Sequence, residues 1–461
     1  ITGEQKSPAK GTVALSGECK GLFGSWVVTA NASSPIIEAE KYGKFSSAAV
    51  TASYGVKDKK VTVSRSSAYW NDALLSAKGE ASLDPASNLI AIEGTYANLD
   101  AKALYAFLPI LENLTVEGIA SGTFSVGGTT KSPIVKANVA AGAGRFLDTR
   151  FGNLNMAIDW TGRDVRLSPI KVSANGGSGV LDCGITISET VPNGKKSGST
   201  VWKLTGDISN VDVSLIDGLI GKNTNLKGPV TGKVTVGDTG SGLSWSFDSA
   251  KSDVTWENYR AKEIKGNLNG STREINVKNL SGTFLNGSVN ASGSIELPGE
   301  GASSESTKLN LAVTVKKLNL YELLRKYIPA VRSTQGLVET SMKVTGTFGE
   351  PNFEGKGRIA PLRYRGWMLP MIDVQFRGTP EEIVVNEAKA LLKNGTLKGY
   401  SRFYKTDGEW CANFNLIGDR LDLRQLGAYL PEEFRSRFGG IANFSMKGDG
   451  KISNITASGE F

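Results

Sequence analysis

The sequence contains no histidine at all. That absence removes the commonest general base, the Ser-His and Cys-His nucleophile pairs, and the commonest metal ligand. Cysteine is scarce: Cys19, Cys183 and Cys411 stand far apart in the chain. An odd, scattered set is neither a disulfide framework nor a metal site, so no cofactor and no metal is expected. No run approaches the roughly 18 consecutive apolar residues of a membrane-crossing helix, and no secretory leader is recognisable. Any membrane anchor is therefore expected in segments outside this chain, which reads as an internal piece of a longer protein. Concentrated charge is missing too. Lys and Arg number 53 against 45 Asp and Glu, a formal +8 over 461 residues. No basic run reaches the density that nucleic acid binding requires, so no nucleic acid partner is expected.

What is present points to strands. Glycine occurs 55 times, and Val, Thr, Ser and Asn are plentiful. Val and Thr favour pleated strands, while Gly and Asn favour tight turns. Period-two alternation is explicit in three runs. Leu154, Met156, Ile158 and Trp160 alternate with Asn155, Ala157 and Asp159. Leu309, Leu311, Val313 and Val315 alternate with Asn310, Ala312 and Thr314. Trp410, Ala412, Phe414 and Leu416 alternate with Cys411, Asn413 and Asn415. Each run has one apolar face and one face toward water. Asn193-Gly194, Asn269-Gly270, Asn286-Gly287 and Asn394-Gly395 carry the signature of two-residue hairpins.

The chain is also periodic. Leu99-Asp100-Ala-Lys-Ala-Leu104-Tyr-Ala-Phe-Leu108-Pro109 returns as Leu421-Asp422-Leu-Arg-Gln-Leu426-Gly-Ala-Tyr-Leu430-Pro431. Looser copies start at Val211-Asp212 and Leu318-Asn319, so the period is roughly 105 residues. The pattern predicts a short helix in each copy. Asp100, Asp212, Asn319 and Asp422 are its N-caps, apolar residues follow at helical spacing, and Pro109, Pro329 and Pro431 stop it. Segments 1–98, 99–210, 211–317 and 318–420 then read as successive repeats, with 421–461 opening the next.

Catalytic motifs fail on inspection. Ser7-Pro-Ala-Lys10 matches a serine acylase motif in four residues with no companion. Gly127-Gly-Thr-Thr-Lys131-Ser132 has Thr130 where a phosphate loop needs glycine. The expectation is a chain that is not an enzyme. A sheet with one apolar face must cover that face. The long period and many hairpins predict an all-β, elongated, antiparallel repeating β-groove, a curled meander or trough, with short helices between repeats. Its lining is expected to be Leu154, Met156, Ile158, Trp160, Leu309, Leu311, Val313, Val315, Trp410, Ala412, Phe414 and Leu416. Asn155, Asn310, Thr314 and Asn415 are expected to face water.

The run Val344-Thr-Gly-Thr-Phe-Gly-Glu-Pro351-Asn-Phe-Glu-Gly355 resembles the recurring V-x-G-T-x-x-x-P-x-x-x-G phrase of TamB proteins and the wider AsmA-like group. Val126-Gly-Gly-Thr-Thr-Lys-Ser-Pro133-Ile-Val-Lys-Ala137 is a weaker copy, with alanine in place of the last glycine. The resemblance implies an envelope-spanning, non-enzymatic bridge that carries phospholipid between inner and outer membranes along a β-lined groove. It implies a periplasmic, inner-membrane-anchored setting in a double-membraned bacterium, with a chloroplast envelope as the alternative. An outer-membrane β-barrel is the implied protein partner. Two rival readings stand beside it: a scaffold that assembles outer-membrane proteins by strand pairing, and a β-rich surface adhesin.

Overall fold

Apolar residues at every second position cannot form one stripe of a helix, but a pleated strand sends them all to one face. In a computed structural model the chain forms antiparallel β-strands almost throughout. The structure describes residues 9–39, 43–84, 88–106, 116–129, 131–146, 149–174, 176–190, 197–214, 226–238, 240, 242–256, 259–299, 303–324, 334–364, 367–392, 394–424, 439–452 and 454–460. It divides into two units, Ile1–Leu243 and Ser244–Phe461.

In the first unit, Ala9–Gly11 and Ala14–Lys20 both pair with Val27–Ala39. From there each long strand pairs with the next, as far as Pro229–Asp238. The second unit is the same kind of meander and ends with Ile441–Lys451 paired to Asn454–Glu460. Among the described residues no pairing joins the first and last strands of either unit, so each sheet is open. Between the phrases at Leu318 and Leu421 the chain makes six long strands, Thr334–Thr347, Pro351–Tyr364, Ile372–Gly378, Glu382–Leu392, Gly395–Thr406 and Glu409–Asp422. The three-residue strand Trp367–Leu369 is added to them. An even number of antiparallel strands returns the chain to the same edge. Successive phrases within a unit therefore fall at the same ends of the strands.

The ends of those strands share one construction. Asn98, Asn210, Lys317 and Arg420 have φ of 59°, 55°, 56° and 48°. The pairing register slips at each of them, a β-bulge that bends and twists the strand. The freed N–H groups are taken up by side chains: Asn98 donates to Ser121 Oγ at 3.2 Å, Asn210 to Thr231 Oγ1 at 2.9 Å and Arg420 to Asn443 Oδ1 at 2.7 Å. All four expected cap side chains accept a backbone N–H two residues on, while the segments that follow Ser214 and Arg424 lie outside the described residues. Asp100, Asp212, Asn319 and Asp422 accept backbone N–H bonds from Lys102, Ser214, Tyr321 and Arg424 at 2.9, 2.9, 3.0 and 3.0 Å. Ala101–Ala106 is a 3-10 turn and Leu320–Leu324 a short helix. The proline stops at Pro109, Pro329 and Pro431 lie outside the described residues, as does Asn193-Gly194.

Three hairpin readings need correction, one of them Asn394-Gly395, where Gly395 already pairs with Leu392 and opens the strand Gly395–Thr406. Asn269 and Gly270 sit inside the strand Tyr259–Ser271, opposite Asn276 and Ile275, and the turn comes later. Gly270 is there because a Cβ would run into the Glu274 carbonyl. At Asn286-Gly287 the left-handed residues are Leu285 and Asn286, φ 46° and 65°, so Gly287 begins the next strand.

Asp212 does more than cap. Its second oxygen accepts the Gly228 N–H at 3.3 Å, tying the phrase to the strand that opens the following repeat. Burial by itself would push this carboxyl up. Hydrogen bonds from Ser214 and Gly228 and the charge of Lys227 outweigh burial and hold it below the usual carboxylate range. A lowered folded pKa stabilises the fold above the unfolded value of about 3.9, and that contribution is lost as pH falls through the folded pKa. Asp212→Ala is expected to cost about 1–2 kcal/mol at pH 7. The gap between the two urea midpoints should narrow at about pH 3.

Candidate functional site

Large apolar side chains are buried deepest at the bulged strand ends, while Ala412, a predicted lining residue at the other end of its strand, is also buried, 2% exposed. Leu421 is 1% exposed, Leu318 5%, Leu320 7% and Leu99 9%. The apolar positions in the middle of the strands are mostly only half-buried. In a closed barrel or sandwich those central positions would carry the core. Here one face of each open sheet is apolar and accessible.

Register makes that face continuous. In the first unit one row of directly opposed residues runs Val50, Ser66, Ala77, Gly94, Phe124, Ala137, Ile158, Leu167, Cys183, Leu204 and Val236. Met156 lies in the adjoining row between Val139 and Ile170, and Trp160 in the next between Val135 and Val165. Leu154 pairs with Ala141 and Val172. In the second unit, Leu311 and Ala412 share a row with Val344, Phe353, Ile383 and Phe403. Val313 and Phe414 share the next, with Met342, Phe376 and Val385. Val315 and Leu416 share a third, and Leu309 pairs with Ile295.

The predicted lining thus falls on register rows within each unit. Trp160 is 42% exposed, with its Nε1 donating to Gly162 O at 2.9 Å. Trp410 is flanked by Lys405, whose ammonium lies 5.6 Å from the ring centre. The water-facing set is less uniform. Asn155 and Asn310 are exposed. Thr314 is half-buried and meets Ser341 Oγ at 3.5 Å. Asn415 is half-buried, with an Oδ1 that has no hydrogen-bond partner, and Cys411 is 8% exposed. The register neighbours of Asn415 are Tyr400 and Lys447, and those of Cys411 are Tyr404 and Lys451. Long side chains of that kind cover short ones between them.

The first unit has a concavity on the apolar face, 360 Å³, lined by Val13, Ala32, Val50, Ala68, Leu75, Ala77 and Phe124 among others. That size suits a slender apolar group. None of its lining was legible as alternation, because serine and alanine interrupt the apolar residues of these strands.

Glycines opposite aromatic rings also escaped the pattern. Gly94 faces Phe124, Gly122 faces Tyr96, Gly378 faces Phe353, Gly448 faces Phe414 and Gly418 faces Phe444, each directly across the register. A Cβ at Gly122 would come within 2.7 Å of Tyr96 Oη, and at Gly378 within 3.1 Å of a Phe353 ring carbon. The other three would meet the ring at least as closely. The rings therefore lie down over the neighbouring strand. They pave the apolar floor without standing up from it. Tyr96 Oη reaches the Asn138 carbonyl at 3.0 Å, and burial pushes its pKa up, keeping the hydroxyl neutral.

Ion pairs cross strands on the other face: Lys78 with Glu93 at 2.8 Å, Arg358 with Asp373 at 2.8 Å and Lys308 with Glu296 at 3.1 Å. All three are exposed, so each contributes little stability, but opposite charges in register discourage slippage. Among the described residues no cluster of metal-ligating side chains occurs, and no helix is long and apolar enough to cross a membrane. In comparisons with known proteins, no family model matches the chain and no curated protein matches its sequence.

Proposed function

We propose that this chain is a non-enzymatic, lipid-carrying segment of an envelope bridge, with phospholipid acyl chains lying on the apolar face of the meander. The observation that carries this reading is the set of mainly apolar register rows, interrupted by small residues such as Ser66, Gly94, Gly355 and Ser401, that remain accessible across open sheets. Each buried CH₂ of an acyl chain gains about 0.8 kcal/mol on such a surface. Many similar shallow positions in sequence favour sliding over tight capture. Polar head groups stay at the open side, which needs no charged pocket. The setting proposed with it is the periplasm of a double-membraned bacterium, with anchoring through other segments, an outer-membrane β-barrel as protein partner, and a chloroplast envelope as the alternative.

The test is what travels with the purified chain. Mass spectrometry of gently purified protein is expected to find phospholipid, released by detergent exchange. The assembly-scaffold reading expects strand-forming peptide instead. Bound peptide with no lipid would overturn the proposal.

A further inference from the structure

We propose that the polar face of the first unit carries a second, separate binding site, a trench that takes a segment of acidic polysaccharide. The concavity there measures 1180 Å³, three times the apolar one. It crosses seven strands, from Lys60–Trp70 to Asp164–Ala174, so it is about 30 Å long at 4.8 Å per strand. A site of that length suits a chain rather than a single phosphate or head group.

Two rows of side chains on the same face line it. The first is Ser67, Ser76, Thr95, Thr123 and Asn138, opposed in register. Ser76 and Thr95 hydroxyls are 2.7 Å apart, and Asn138 Nδ2 donates to Thr123 Oγ1 at 3.3 Å. These groups keep lone pairs and protons to spare, so each strand step presents a fresh donor or acceptor. That regular advance is comparable with the step of an extended glycan. The second row is Lys78, Glu93, Ser125, Lys136, Asp159 and Arg166. Lys78 and Glu93 neutralise each other at 2.8 Å. Lys136 and Arg166 flank Asp159 in register without forming an ion pair among the described residues, and Arg65 at the far side is likewise unpaired. Cations outnumber carboxylates four to two in the lining. At the same end Tyr69 is 44% exposed, a ring available to stack on a sugar face. The absence of interleaved aromatics along the rest of the trench disfavours single-stranded nucleic acid.

The two polar rows alternate along the strands with the row Ser66, Ala77, Gly94, Phe124, Ala137 and Ile158, which also borders the trench, and the polar-row side chains carry the proposal independently of the lipid reading. Its test is fluorescence anisotropy on the full chain with a labelled galacturonic acid hexamer, an acidic glycan. A maltose-type neutral hexamer and a glutamate hexapeptide serve as competitors. The acidic glycan is expected to bind, with both competitors weaker by about tenfold, a 1.4 kcal/mol difference. Lys136→Gln/Arg166→Gln should weaken binding about tenfold or more, and Thr95→Val/Thr123→Val about three- to tenfold. Lys171→Gln, on an exposed lysine outside the lining, should change nothing. Circular dichroism melts establish that each variant is folded. No binding, or binding indifferent to both double variants, overturns the proposal. Equal competition by the glutamate peptide overturns it too, by reducing the trench to a general attraction for polyanions.

Discussion

Val313→Asp and Phe414→Arg are expected to abolish lipid passage while leaving the chain folded. Both residues lie on one apolar row of the second unit, joined through Met342, Gly355, Phe376, Val385 and Ser401. A charge held against apolar surface without water costs several kcal/mol. An open sheet lets the new side chain lean toward solvent, so the fold is expected to lose only about 1–3 kcal/mol. An acyl chain has no such escape and must cross the charge. Transfer of a fluorescent phospholipid between vesicles should fall by at least about tenfold. Asn310→Asp and Asn413→Arg place the same charges on the opposite face, at exposed positions, and should leave transfer unchanged. Asn415 is a poor control, because its amide oxygen is already buried and unpartnered. Transfer lost in the Asn310 and Asn413 variants but kept in the Val313 and Phe414 variants would assign the lipid path to the wrong face.

Gly448→Ala is expected to destabilise the second unit by about 1–3 kcal/mol, despite adding only a methyl group. The added carbon would collide with the Phe414 ring and come within 3.2 Å of the Thr456 carbonyl. The ring would have to stand up into the apolar space. Combining Gly448→Ala with Phe414→Leu should recover about 1 kcal/mol relative to the sum of the single changes, because the two side chains contend for one place. Gly184→Ala is the matching control. A Cβ at Gly184 meets nothing within 4 Å, so this change should be neutral or slightly stabilising. Urea titrations of the wild type, the three single variants and the double variant decide the matter. Equal losses at Gly448 and Gly184 would mean that the glycines serve strand flexibility and not the flat seating of rings.

Fold class was legible because its cause is local. Alternation in Leu154–Trp160, Leu309–Val315 and Trp410–Leu416 predicts strands, and all three runs lie in antiparallel strands of the sheet. The capped phrase was legible for the same reason. Asp100, Asp212, Asn319 and Asp422 need only the N–H two residues on to show their role. Where a partner comes from another strand, the pattern fell silent. Nothing around Asn269-Gly270 distinguishes a turn from a strand glycine pressed against Glu274. Phe124 looked isolated among Ser, Thr and Gly, yet it lies over Gly94 and helps line the apolar concavity.

Alternation, turn residues and the missing histidine were enough to establish an all-β chain with one apolar face and no histidine-based chemistry, since these follow from residue type and nearest neighbours along the chain. Register, the bulges at Asn98, Asn210, Lys317 and Arg420, and the seating of rings on glycines came only with the folded sheet. Each depends on which residue stands across a strand gap of about 4.8 Å, and that pairing is settled by the whole meander at once.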